Sequence, residues 1–199
     1  MSGAAAGARR TSLLDRPLNK TKGAEVSLSA FAFLYSEMLQ YSQRRVSGIQ
    51  DLEKRLADFG RAVGVRYLAL HTARTPPPHK RPLRVLALLR SIHTPLWTAL
   101  FGRAASSLEK SNDHPREFMI SDAAPAVSRF ASVPREMRGF LTPGAFLAGV
   151  VGGMADASGF AVEACTAHAT GDDAAPGRVT VLIRFAEGVL ERDAMLDEK

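Results

Sequence analysis

Residues 49–70 read IQDLEKRLADFGRAVGVRYLAL. Apolar residues recur along this stretch at intervals of three and four, and charged residues fill many of the positions between them. The apolar set is Ile49, Leu52, Leu56, Phe59, Val63, Tyr67 and Leu70. This spacing is typical of an amphipathic helix with one buried face. We expect the helix to end before Pro76-Pro77-Pro78, because proline cannot continue the helical hydrogen-bond ladder.

Two glycines interrupt this predicted helix one turn apart, at Gly60 and Gly64. Each glycine in a helix interior costs about 1 kcal/mol relative to alanine. A packing reason is therefore expected, in which the missing side chains let another backbone come close.

The segment before it predicts another helix, from Ser27 to Gln43, with Ser27 or Ser29 as its N-cap. Glu37 is the only charged residue between Val26 and Gln43, and apolar residues fall on several helix faces. Such a helix is buried either by its own domain or by a partner, and both alternatives stay open. For a partner, the predicted interface is Leu28, Phe31, Phe33, Leu34, Tyr35, Met38, Gly60 and Gly64.

Further along the chain, patterns and turn residues predict three more helices and four strands. A third helix follows Pro82, bends at Pro95 and closes at Gly102. The strands are Glu117–Ser121, Val127–Val133, Phe160–Thr170 and Arg178–Phe185, of which the last two form a hairpin. A helix from Thr142 to Gly159, thinned by glycines to lie against a sheet, precedes the hairpin, and another from Glu187 to Leu196 follows it.

These elements predict an α+β fold with long N-terminal helices packed on a small antiparallel sheet. Residues 1–23 are rich in alanine, glycine and bases and are expected to form a flexible arm, followed by one domain from 24 to 199. The only cysteine, Cys165, cannot form an internal disulfide, which favours a reducing compartment. No stretch predicts a signal peptide or a membrane-spanning helix.

Residues 61–90 carry seven bases and no acid, in a chain of net charge +6. A localised basic surface indicates an anionic partner, either an acidic protein or a lipid headgroup layer. Nucleic acid is disfavoured, because Tyr67 is the only aromatic residue among these bases. Lys80, Arg81 and Arg84 flank the proline-rich loop and are the predicted contacts. Ordinary solvated helix faces are the alternative.

Chemical motifs are missing from the sequence. It contains no His-Glu-x-x-His pair, no phosphate-binding loop and no Gly-x-Ser-x-Gly elbow. Cys165 and His168 are three apart in a predicted strand, which places them on opposite faces. We therefore predict no catalytic, cofactor-binding or metal-binding residue, and an assembly subunit as the function. A lipid-binding or ligand-binding module and an unrecognised enzyme remain alternatives, as does phosphorylation of Ser12 after Arg9-Arg10.

Several sequence segments, in order, carry a family resemblance. They are RTSLLDR (10–16), EVSLSAFAFLYSE (25–37), RLADFGRAVGVR (55–66), LWTALFG (96–102), SVP (132–134) and the run 146–168. From about residue 10 to about 195, the chain resembles the Bet-three-like small subunits of the transport protein particle (TRAPP) tethering complex.

The resemblance implies pairing through the first two helices, with a Bet-three-like subunit and a sedlin-type longin subunit as partners. It also implies a scaffold role in a complex that acts as an exchange factor for a Rab GTPase. Catalysis there belongs to other subunits. The implied location is cytoplasmic, peripherally on endoplasmic reticulum and cis-Golgi membranes. The namesake branch carries an acyl chain on a cysteine before the third helix, but residues 73–84 contain no cysteine here, so acylation is not expected.

Overall fold

The computed structural model describes residues 26–75, 81–131, 133 and 141–196. The helices are α1 (Leu28–Gln43), α2 (Ile49–Arg74), α3 (Val85–Ser91), α4 (Trp97–Phe101), α5 (Ala145–Ala157) and α6 (Glu187–Met195). The strands are β1 (Ser107–Lys110), β2 (Glu117–Asp122), β3 (Val162–Ala169) and β4 (Val179–Phe185). This arrangement confirms the predicted α+β class. The predicted arm at 1–23 lies outside the described residues.

The four strands form one antiparallel sheet in the order β1-β2-β4-β3. Strand β4 alternates as predicted, with Val179, Val181, Ile183 and Phe185 buried on one face. Its pairing with β3 confirms the predicted hairpin. The inner face of the sheet packs on α5, whose residues from Ala145 to Ala155 are all buried.

Helices α2 and α5 cross with their backbones close together. A Cβ added at Gly60 would overlap the carbonyl oxygen of Phe146, and one added at Gly64 would overlap that of Val150. From the other side, Gly149 and Gly153 press against the backbone of α2 in the same way. The predicted close approach is therefore confirmed, and the second backbone is the chain's own α5.

The α5 glycines differ from their predicted role. They were expected to let the helix lie against the sheet, but Gly149 and Gly153 face α2. Only Gly152 faces the sheet, where an added Cβ would lie 3.4 Å from the Cβ of Cys165. The glycines keep the side chains of α5 small because this helix is packed between α2 on one side and the sheet on the other.

The third helical segment begins later than predicted, at Val85. There the N–H of Val85 donates to Asp193 Oδ1 in α6 at 3.0 Å, so a residue distant in sequence supplies the cap. Near Pro95 the helix widens into a π-helical turn over Ile92–Leu96, because proline provides no N–H for the regular ladder. As predicted, the segment closes at Gly102, whose φ is +78°.

One strand prediction was wrong and one strand was missed. The described part of residues 127–133 contains turns, in which Ser128 N donates to Pro125 O and Ala131 N donates to Ser128 O. Val127 is buried, but as a single residue on a turn. Strand β1 was not among the predicted strands, because only one of its four residues, Leu108, is apolar.

Candidate interaction surface

One side of helix α1 packs against the rest of the chain, and the other side is exposed to solvent. Its inner side is fixed by Tyr35, which is buried against Phe146 and donates its hydroxyl to the carbonyl oxygen of Pro143 at 2.6 Å. On its outer side Phe33 is 77% exposed and Leu34 is 71% exposed. Leu28 begins the helix seven residues before Tyr35, so it lies on the same side as Tyr35, and it is 37% exposed. Residues this apolar are rarely left in water together unless another molecule covers them.

Helix α2 adds a second group of exposed apolar side chains, at Val63 and Leu70. Sequence reasoning had placed both in the buried stripe. For Leu70 the reason is helix length, since α2 has 26 residues, about 39 Å, whereas α5, which covers it, has 13, about 20 Å. Val63 lies within the covered length, next to Gly64, yet 42% of it is exposed. The fully buried residues of α2 all lie between Leu52 and Gly64. We call the exposed residues Phe33, Leu34, Val63 and Leu70 the α1–α2 surface.

Three residues predicted for the interface belong to the interior of the chain instead. Tyr35 is in the core, and burial raises the pKa of its phenol well above the usual value. Gly60 and Gly64 are covered by α5. Phe31 and Met38 are half-buried and pack against the core, so each offers only part of its side chain.

The predicted basic contacts are largely engaged within the chain. Arg81 donates from Nε and Nη2 to the carbonyl oxygen of Ser158, at 3.0 and 2.6 Å. Arg84 is half-buried, with its Nε 3.8 Å from Asp193 Oδ1. Lys80 lies outside the described residues. Arg61, from the same basic segment, pairs with Asp156. Several of the seven bases therefore have structural partners.

A cleft of about 550 Å³ lies between the first turns of α2, the start of α5 and the edge strand β3. Cys165 and His168 both line it. The Cys165 thiol donates to Ala148 O at 3.1 Å, and burial raises its pKa to about 12. His168 instead shares a hydrogen bond with Thr166 Oγ1 at 3.0 Å. The two side chains stand on opposite faces of β3, as predicted, so they do not form a nucleophile–base pair.

The described residues contain neither a metal-binding group nor a membrane-spanning helix. Within them, no three His, Cys, Asp or Glu side chains are grouped to hold a metal ion. No helix in the described part of the chain combines the length and the apolar character that crossing a membrane requires.

Known proteins are similar to this chain in sequence and in fold. The family model described as transport protein particle (TRAPP) component matches residues 31–186. Trafficking protein particle complex subunit 5 of Dictyostelium discoideum is 39% identical over 182 residues, covering 92% of this chain and 96% of the relative. The subunit 5 of Gallus gallus is 40% identical over 188 residues, covering 94% of this chain and 95% of the relative.

A solved structure matches the fold at much lower identity. It is the crystal structure of a trafficking protein particle complex subunit 3 from Naegleria fowleri covalently bound to palmitic acid. Its TM-score is 0.65 at 14% identity, and the match covers 80% of this chain and 95% of that one.

Proposed function

This chain belongs to the TRAPP component family, in the branch of subunit 5, and we propose that it is a non-catalytic scaffold subunit of a TRAPP vesicle-tethering complex. The family consists of trafficking-complex components, not of enzymes. The observation that carries the scaffold role is the α1–α2 surface, where a helix is anchored by Tyr35 on one side and exposes Phe33 and Leu34 on the other.

The energetics favour a protein partner on this surface. Full burial of one phenylalanine or leucine side chain stabilises by about 1.5–3 kcal/mol. The centre of an apolar patch usually dominates binding, so a few anchors there decide whether two subunits associate. Phe33 and Leu34 have the exposure and the size for such anchors.

The partners we propose follow from the family. They are a Bet-three-like subunit on the α1–α2 surface and a sedlin-type longin subunit elsewhere. The complex as a whole would exchange nucleotide on a Rab GTPase, at the cytoplasmic side of early secretory membranes. In this proposal the acidic and basic side chains of the chain stabilise its fold or contact partners, and none is catalytic. Peripheral membrane contact through Arg81 and neighbouring bases is part of the proposal, although Arg81 and Arg84 also bond within the chain.

Acylation is left out of the proposal. The subunit 3 structure from Naegleria fowleri is covalently bound to palmitic acid. In this chain, residues 73–84 contain no cysteine. Cys165 is located in β3 with its thiol hydrogen-bonded and protonated, which makes it a poor nucleophile for acyl transfer.

The test is co-expression of the tagged full chain with a Bet-three-like subunit. Phe33→Asp should reduce recovery of the partner at least about tenfold, because a carboxylate at a buried interface costs 2 kcal/mol or more. Circular dichroism should show that the variant remains folded, since Phe33 does not support the core.

Phe130→Asp is the matched control, because Phe130 is 60% exposed and lies in a turn far along the chain. It should bind the partner as the wild type does. Full recovery of the partner by the folded Phe33→Asp variant would contradict the proposed interface.

A further inference from the structure

The linker between α1 and α2 reads Arg44-Arg45-Val46-Ser47-Gly48. Ser47 is exposed, and so are Arg44 and Arg45 at the third and second positions before it. On the N-terminal side the nearest acid is Glu37 in α1, about ten residues before Ser47. An exposed serine two residues after an arginine pair fits the acidic substrate cleft of an arginine-directed kinase, which selects substrates by their charge pattern.

The linker is also able to enter such a cleft. The backbone of Val46, Ser47 and Gly48 makes one hydrogen bond to other described residues, from Leu52 N to Gly48 O. Extending the arginine pair breaks two backbone–backbone hydrogen bonds, from Arg44 N to Gln40 O and from Arg45 N to Ser42 O. Both belong to the last turn of α1, and helix ends open locally at low cost.

We propose that Ser47 is a phosphorylation site for an arginine-directed serine kinase, and that its phosphate is held between Arg44, Arg45 and the start of α2. In the transfer, Ser47 Oγ forms a bond to the γ-phosphorus of ATP. The bond from that phosphorus to the β–γ bridging oxygen breaks, and ADP leaves. The hydroxyl proton passes to the catalytic aspartate of the kinase.

The structure supplies partners for the resulting phosphate. Gly48, the N-cap of α2, has no side chain with which to cap the helix. Within the described part of the chain, the N–H groups of Ile49, Gln50 and Asp51 have no acceptor. A helix N-terminus favours negative charge, and arginine adds charge-assisted hydrogen bonds to phosphate.

Two local groups compete with this arrangement. The Arg45 guanidinium lies 3.6 Å from the centre of the Tyr41 ring and donates to Tyr41 O at 3.3 Å, so the phosphate must draw it from Tyr41. The Asp51 carboxylate is also near, 3.8 Å from the point where a Cβ on Gly48 would stand. Two arginines and the helix terminus outweigh this one acid. The expected result is a stiffer linker between the two helices of the α1–α2 surface.

The first experiment uses the folded full chain, with Thr11→Ala and Ser12→Ala to remove the acceptors beside the other arginine pair. The chain is incubated with ATP and the catalytic subunit of cyclic-AMP-dependent protein kinase, and peptides are mapped by mass spectrometry. We expect one phosphoryl group on the peptide with Ser47 and none there in Ser47→Ala. Arg44→Gln combined with Arg45→Gln should slow the reaction at least about tenfold, whereas Ser29→Ala should not change it. No phosphate on Ser47 in the folded chain overturns the proposal.

The second experiment compares amide hydrogen exchange of the phosphorylated and unmodified chains. The amides of Ile49, Gln50 and Asp51 should exchange at least about threefold more slowly with phosphate present, because they gain an acceptor. Equal exchange overturns the placement of the phosphate at the start of α2. Neither experiment needs a partner subunit, so failure here is distinct from failure of the proposed scaffold role.

Discussion

Cys165 shows how one environment decides the chemistry of a residue. Its thiol is enclosed between β3 and α5 and donates to Ala148 O. Burial is the largest influence on its pKa, and nearby Asp156 raises it further, while Gly152 and Arg61 lower it. The net effect is a pKa of about 12. A thiol with that pKa remains protonated through the physiological range, which suits a packing role.

The prediction is that Cys165 reacts slowly. The thiolate is the nucleophile, and an ordinary cysteine with a pKa of about 8.5 is half ionised at pH 8.5. In the folded chain, alkylation by iodoacetamide at pH 8.5 should therefore be at least about 100-fold slower than in urea, as measured by intact mass. The chain has one cysteine, so the label has a single source, and Cys165→Ser should take up none. Equal rates in the two states would contradict the structural role.

Stability should follow the same shift, with a definite sign. The folded state holds the thiol proton more tightly than the unfolded state, so the contribution is complete below about pH 8.5 and is lost as pH rises toward 12. Between pH 8.5 and 10.5 the unfolding free energy of the wild type should consequently fall more steeply than that of Cys165→Ala.

Among the contacts between elements, the close packing of α2 on α5 is the one on which the fold depends most. We predict that Gly149→Val destabilises the chain by about 3 kcal/mol or more, because its side chain would overlap the backbone at Ala57 and force the helices apart. Urea unfolding checks the loss. Gly188→Ala is the control, since Gly188 is exposed in α6 and its new Cβ would meet nothing closer than Glu191 Oε2 at 4.0 Å. That control should be neutral or slightly stabilising. A Gly149→Val variant as stable as the wild type would show that the two helices do not need this contact.

Sequence patterns predicted the elements that have long or regular periodicity. The apolar stripe predicted α2, the alternation predicted β4 of the hairpin, and the glycine at 102 predicted the end of the third helical segment. Features that depend on distant residues were not predictable in this way. Asp193 caps α3, and buried Asp122 accepts from Trp97 Nε1 at 2.9 Å, but neither pair has a local signal. Strand β1 forms only because β2 lies beside it.

The same reasoning applies to the candidate surface. The scarcity of charge in α1 predicted an interface, yet it gave no means of separating Phe33 from Tyr35, because both are large and aromatic. Helix rotation decides the difference: two residues apart on a helix are about 200° apart, so one enters the core and the other points away from it. The rotation is set by the contacts of Tyr35 with α5 and Pro143.

For the whole molecule, the distribution of apolar surface matters more than its amount. The sheet and α5 form a closed core, whereas Phe33 and Leu34 of α1 and Val63 and Leu70 of α2 are left without cover from other described residues. A chain built this way has a stable fold, but it leaves apolar side chains exposed to solvent. Two forces compete to define its associations: apolar contact through the α1–α2 surface, and charge through the bases of residues 61–90.

Salt distinguishes these two forces in the isolated full chain. We predict concentration-dependent self-association in sedimentation velocity, strengthened by ammonium sulfate, because excluded salts favour apolar burial. Leu34→Glu should weaken it at least about fivefold. Leu83→Glu should not, although Leu83 is similarly exposed at 66%, because it precedes α3 and lies outside the α1–α2 surface. If sodium chloride instead dissociates the oligomers and Leu34→Glu has no effect, the contacts are electrostatic. At 0.1 M salt the attraction between exposed charges is screened over a distance of about 10 Å. The basic segment would then be the association surface of this chain.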